Sequence, residues 1–308
     1  MVAKLTPPAQ DSEEIVKNII AKREKQKDFF EALKDDWLAL IKNYHHHSGD
    51  PAVILPLDLS NYISNERVKA EAGKEFKKGE SDDPAKRLYG RRKESLKNLY
   101  SPKAGTELHA ILDSMRGDHD LKFCPSCGEP GKPGTLDHYL PKAKYPELSI
   151  VLVNLTPLCE ACQNKKGTSD IDGDGNKLFI HPYYDPIEDV ALCLNIAEPY
   201  NSPSAFTVEV DQGVCEHIRS LFERHLTEIK FRERFEEFCI DEYSDLLTIF
   251  TEERTEDNPD SAERIIKRFL TKNGRQSPNR WEAIFYRGVL ANTNLLEYLD
   301  NGDLPDQF

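Results

Sequence analysis

The sequence predicts a mainly α, α+β protein: two helix-rich flanks around a small core of short strands and one helix. Three observations lead there. Apolar residues recur at three- and four-residue spacing through most of both flanks. The middle, from about Phe123 to Asp185, is instead rich in turn residues and short elements. That middle also carries two Cys-x-x-Cys pairs, Cys124/Cys127 and Cys159/Cys162. A chain of 308 residues has room for two or three structural units. The expected division is 1–118, an N-terminal helical region; 119–189, the cysteine-bearing module; and 190–308, a hairpin followed by a C-terminal helical region.

Taken in order, Ile15, Ile19, Phe30, Leu33, Trp37 and Ile41 predict a helix from Ser12 to Tyr44, capped by Asp11 or Ser12 and ended by Gly49, Asp50 and Pro51. Leu55 to Tyr62 is ambiguous. Asn65–Lys78 and Pro84–Asn98 are charged and helix-prone, with a polar break at Gly79–Asp83 between them. Glu107–Met115 reads as a short helix feeding the first cysteine pair. Gly128, Pro130, Gly131, Pro133 and Gly134 mark a tight loop. Thr135–Tyr139 and Ile150–Val153 have strand character, and Cys159–Lys166 starts a helix. Val190–Ile196 and Ala205–Val210 alternate apolar and polar residues about the turn NSPS, which predicts a β-hairpin with a long loop. A long helical pattern then runs from Gly213 through Val214, Ile218, Leu221, Phe222, Ile229, Phe235, Phe238 and Tyr243. Ser261–Leu270 and Trp281–Leu299 are two further helices, and the acidic tail beyond Leu299 is expected to be loose.

Composition excludes several classes. No apolar run approaches the roughly 20 residues that span a bilayer. The polar, acidic start does not read as a secretory signal, so the expectation is a cytoplasmic protein. Four of seven cysteines in two close pairs point to metal ligation in a reducing compartment rather than to disulfides. Cys193, Cys215 and Cys239 lie in apolar-periodic contexts and read as small core residues. The net charge of −13 disfavours strong unaided DNA binding, since a protein that grips DNA alone neutralises phosphates with cations. Between Leu121 and Tyr184, seven lysines balance seven carboxylates, so the net acidity lies outside the cysteine-bearing module.

Each Cys-x-x-Cys turn delivers two thiolates from one bend, and two such turns complete a zinc tetrahedron. Gly128 supports the bend after Cys127, and the span between the pairs fits a two-stranded hairpin. That span also holds His138, whose side chain is a natural general base near neutral pH. Asp137 precedes it on an expected strand. Adjacent strand side chains point to opposite faces, so both serve one site only where the backbone is irregular or a metal lies at the strand's edge.

The segments CPSCG, LDHYLPK, YPELS, NLTPLCEACQNKKG and FIHPYYD, in that order, resemble the HNH endonuclease family of the His-Me finger (ββα-metal) nucleases over about Phe123–Asp185. The resemblance implies a ββα-metal core that hydrolyses DNA phosphodiester bonds, with structural Zn2+ on the four cysteines and Mg2+ or Mn2+ as the catalytic ion. It implies that Asp137 binds this ion, that His138 activates water, and that Asn154 holds the loop and orients His138. Many members place a His or Asn ligand directly after the last knuckle cysteine; this chain has Gln163 there and Asn164 next. His181 is the better ligand on chemistry, so the expected set is Asp137 and His181, with Asn164 as a third. Lys142, Lys144, Lys165 and Lys166 are expected phosphate contacts.

The overall pattern is similar to HNH effectors of bacterial antiphage systems such as the Septu nuclease subunit. That similarity implies a protein partner, such as an ATPase, that supplies DNA affinity or control. Two alternatives stand beside it: a zinc-stabilised scaffold or docking protein whose nuclease site has decayed, and a stand-alone restriction-type nuclease. Asp170, Asp172, Asp174 and Gly175 mimic the opening of a calcium loop, but His181 stands where calcium needs a bidentate Glu, so the segment reads as a turn. His45, His46 and His47 read as a helix end, and Arg91, Arg92 and Lys93 as one face of a charged helix.

Overall fold

The structure, a computed structural model, describes residues 3–75, 79–185 and 189–305. The Asp11 carboxylate accepts the Glu13 N–H and starts α1 (Ser12–Ala21), which buries Ile15, Val16 and Ile20. The helix expected over 12–44 is two helices. The chain turns at Gln26, at φ +59°, and restarts as α2 (Lys27–His46). The apolar spacing continues across the break and hides it. One face of α2 buries Phe29, Phe30, Leu33, Trp37, Leu40, Ile41 and Tyr44. After the 3-10 turn Leu59–Tyr62 come α3 (Asn65–Ala72) and α4 (Pro84–Lys97), capped by Ser64 and Asp83. The end of the predicted Asn65–Lys78 helix lies partly outside the described residues. The expected exposed run Arg91–Lys93 is broken up: Arg91 pairs with Glu71 and Glu80, and Arg92 is buried over the Phe29 ring. Thr106 caps α5 (Glu107–Gly117).

In the middle, β1 (Thr135–His138) pairs antiparallel with β2 (Leu155–Leu158), and α6 (Glu160–Lys166) follows at once. Strand character was expected at Ile150–Val153, but Leu152–Asn154 is a 3-10 turn and the strand begins at Leu155. Every residue from Ile150 to Leu158 is buried, so no alternation marks the strand. Pro157, opposite Leu136, argues further against one; it is tolerated because each strand of a two-stranded ribbon is an edge. The result is a ββα unit.

The expected hairpin forms from β3 (Leu192–Ile196) and β4 (Phe206–Val210), antiparallel, with alternate residues buried. The long pattern after Gly213 divides at Lys230, at φ +53°, into α7 (Glu216–Glu228) and α8 (Phe231–Glu253). α9 (Ala262–Gly274) follows. The helix expected over 281–299 is α10 (Trp281–Ala291) and α11 (Thr293–Asn301), divided by Asn292, whose side chain caps α11. One hydrophobic core runs from α1 and α2 through the ββα unit to α8, α10 and α11. Cys239 is in it, but Cys193 and Cys215 are exposed: Cys193 occupies an outward position of β3, and Cys215 immediately precedes α7. Among the described residues no helix is long and apolar enough to cross a membrane.

Candidate active site and cysteine cluster

The ligand atoms of Cys124, Cys127, Cys159 and Cys162 all lie within 4.8 Å of one another. Cys127 Sγ and Cys159 Sγ are 3.9 Å apart. A tetrahedron with zinc–sulfur bonds of about 2.3 Å has edges of about 3.8 Å, so the donor set fits such an ion. The N–H groups of Cys159 and Cys162 donate to Cys124 Sγ and Cys159 Sγ, both at 3.4 Å. Burial pushes the Cys124 and Cys127 thiols up, while hydrogen bonds from neighbouring cysteines pull Cys159 down to about 6 and hold Cys162 low.

Distant helices clasp this cluster. Arg234 of α8 donates to Cys162, Cys127 and Cys159 sulfurs at 3.6, 3.6 and 3.7 Å and pairs with Glu129. Trp281, which opens α10, donates Nε1–H to the Cys127 carbonyl at 2.7 Å and its backbone N–H to Gly128. His225 of α7 donates to the Ser126 carbonyl at 2.9 Å. No local spacing in the sequence signals these contacts.

His138 closes β1 and is buried. Its Nε2 lies 3.0 Å from the Ser149 carbonyl, which can only accept, so Nε2 carries the proton and Nδ1 keeps the lone pair a base needs. Desolvation, then Lys142, Lys166 and Arg116, lower its pKa to about 3 and keep the ring neutral. Asp137 points to the other side of the strand, where Lys166 of α6 sits 3.1 Å from Oδ2 and also donates to the His138 carbonyl at 2.6 Å. The charge of Asp137 is still felt at Tyr100 and Lys142.

Asn154 ties the loop that joins the strands. Its Oδ1 accepts the Leu140 N–H at 2.7 Å, its Nδ2 donates to the Leu140 and Leu148 carbonyls, and its own carbonyl accepts the Tyr139 N–H. That loop delivers Ser149 to His138.

The structure does not give His181 the position expected of a metal ligand. It is wholly buried, its Nδ1 accepts the Tyr183 N–H at 3.2 Å, and its Nε2–H faces Tyr44 Oη at 2.9 Å. Tyr44 in turn donates to Asn154 Oδ1 at 3.1 Å. With both nitrogens engaged, no lone pair is left for an ion, and His181 is a strut behind Asn154. Asn164 is exposed on α6, whereas Gln163, half-buried, lies three residues before Lys166 and so shares its face. Among the described residues, the four cysteines are the one group of three or more His, Cys, Asp or Glu side chains gathered for a metal.

The four expected phosphate-binding lysines separate. Lys166 is buried against Asp137, and Lys144 pairs with Asp170. Lys165 is exposed on α6, and Lys142 is half-buried beside His138. Asp172 accepts the N–H groups of Asp174 and Asn176, which makes DGDGN the turn the sequence suggested.

Residues 124–169 match a family model described as HNH endonuclease. Protein ea31 of Escherichia phage lambda is 40% identical over 62 residues, which is 20% of this chain and 21% of ea31. The chain thus spans about a fifth of that relative's length. No solved structure matches it. The ββα unit, the cysteine cluster folded around it and the family match together show that this chain carries an HNH endonuclease domain at residues 124–169.

Proposed function

We propose that the protein is a metal-dependent endonuclease that hydrolyses DNA phosphodiester bonds. The observation that carries this reading is the His138 tautomer: a neutral imidazole with Nε2–H committed to Ser149 and Nδ1 left as the base. In this role His138 takes the proton of the attacking water. Asp137 would help to hold the catalytic Mg2+ or Mn2+; its Oδ1 accepts no hydrogen bond from the described residues. Gln163, on the α6 face that carries Lys166, is a candidate amide-oxygen ligand. When bound, the ion supplies Lewis-acid stabilisation of charge on the phosphate. Zn2+ on the four cysteines is structural and fixes the ββα unit.

The acidity of the chain, net −13, supports an effector that acts with a protein partner, such as an ATPase, which brings DNA affinity or control. Antiphage defence is the setting this reading assigns to it. The second reading, a zinc-stabilised docking protein, draws on one observation: Gln163, a poor ligand, stands where a His or Asn is usual.

Plasmid incubated with the protein, its co-purifying partner and Mn2+ or Mg2+ tests both. Cleavage that His138→Ala lowers by about 10²–10⁴-fold is expected of a general base. Intact plasmid with both proteins, partner present, would leave the docking reading standing instead.

A further inference from the structure

Cations from two separate segments gather beside His138 on one aromatic ring. Tyr100, just after α4, sets its ring 4.4 Å from the imidazole, edge to face, and donates its O–H to the Leu136 carbonyl at 2.5 Å. The Arg116 guanidinium of α5 lies 5.3 Å from the centre of the same ring, and the Lys142 ammonium lies 4.5 Å from it. Lys97 of α4 stands near enough to repel Lys142. Two of these cations have local partners: Lys97 pairs with Glu94 at 2.7 Å, and Arg116 with Asp113 at 3.2 Å. Asp113 is an exposed i, i+3 neighbour, a pairing of little energetic weight. Lys142 has no carboxylate within 4.0 Å among the described residues, although it is half-buried.

Like charges held together on a partly dry surface destabilise a fold unless an anion completes them. Asp137, the carboxylate next to His138 in sequence, is already held by Lys166. An incoming strand must also bring its phosphates past Asp137 into a chain of net charge −13, which requires local positive charge. Arg116 offers a planar donor fork and Lys142 a point charge, the two side-chain chemistries suited to phosphate oxygens. Tyr100 and Arg116 lie outside residues 124–169, so the N-terminal region would complete the site of the nuclease domain.

We propose that Arg116 and Lys142, set on the Tyr100 ring at the rim of His138, form a subsite for a DNA backbone phosphate adjoining the bond that is cut. This rests on the nuclease reading and adds how the strand is seated.

The test measures binding of a fluorescein-labelled 12-base-pair duplex by anisotropy over a series of KCl concentrations. All proteins carry His138→Ala, so that no cleavage intrudes. Lys142→Gln and Arg116→Gln are each expected to weaken binding by about 5–10-fold and to reduce the slope of log K against log salt by about one. Lys272→Gln, exposed on α9, is expected to stay within about twofold. Lys142→Arg restores binding, and this distinguishes lost charge from a disturbed fold. Affinities of Lys142→Gln and Arg116→Gln no weaker than that of Lys272→Gln, or no binding by the parent even at low salt, would overturn the proposal. Failure of the nuclease reading gives a different result: protein with His138 intact seats the duplex through Lys142 and Arg116 but leaves it uncut in Mg2+ or Mn2+.

Discussion

His138 and His181 are both buried imidazoles, and the atoms facing their nitrogens divide their roles. A carbonyl opposite His138 Nε2 leaves Nδ1 as a base, while a backbone N–H and a phenol opposite His181 use both of its nitrogens. A third buried titratable group, Glu147, sits in the loop Asn154 closes. Its carbonyl accepts Trp37 Nε1–H at 2.7 Å, its Oε1 accepts the Leu57 N–H at 2.9 Å, and its Oε2 has no partner. Burial pushes its carboxyl up to about 7 from the ordinary 4.5. Between those values the folded state holds a proton that the unfolded state has lost. The contribution is therefore fully present below pH 4.5 and disappears as pH rises through 7. Glu147→Gln cannot ionise. Urea denaturation at pH 5 and pH 8.5 should show the parent losing about 2–3 kcal/mol more than the variant over that interval. Parallel pH profiles would mean that Glu147 is not buried as an acid.

At the scale of elements, the turn after α2 shows what a short break can control. Gly49 has φ +67°, and a Cβ there would lie 2.7 Å from the Tyr44 ring and 2.9 Å from His181. The chain must approach that closely for Tyr44 to reach both His181 and Asn154. Gly49→Ala is expected to destabilise by about 2–4 kcal/mol, backbone strain plus displacement of a packed ring. Gly105→Ala, at φ +80° with open space around it, should cost only about 1 kcal/mol. Denaturation curves of the two variants compare these costs directly, and equal losses would remove the claimed contact. The same scale shows what was legible in the sequence. Cysteine spacing, the alternation in β3 and β4 and the Asp11 cap of α1 are local signals, and they place those elements. The breaks at Gln26, Lys230 and Asn292 were hidden because apolar spacing continues across each of them. β2 was displaced because a strand buried on both faces has no alternation to read. Asp137, His138, Asn154 and the cysteines announce themselves through order along the chain. Tyr44, Tyr100, Arg116, Arg234 and Trp281 do not, since only tertiary folding brings them to the site.

Across the whole molecule, the ββα unit joins two flanks that each reach into it. From one side come Trp37 on Glu147, the Ser12 hydroxyl accepting the Leu152 N–H, and the Leu96 carbonyl accepting from Ser149. From the other come Arg234, Trp281 and His225 on the cysteine turns. A structural zinc contributes on the order of 10 kcal/mol to the fold that holds it, comparable with the whole stability of an ordinary domain. Because the core is continuous from flank to flank, removal of the ion should not stop at the cysteine turns. The two tryptophans of the chain report on opposite sides, Trp281 at the cluster and Trp37 at the N-terminal flank. In Trp37→Phe and Trp281→Phe backgrounds, the remaining indole can be followed while a zinc chelator is titrated at 37 °C. Both indoles are expected to shift to solvent-exposed emission at the same chelator concentration, with one equivalent of Zn2+ restoring both. If Trp281 shifts while Trp37 holds its buried emission, the flanks are energetically separate and the cluster stabilises only the C-terminal side.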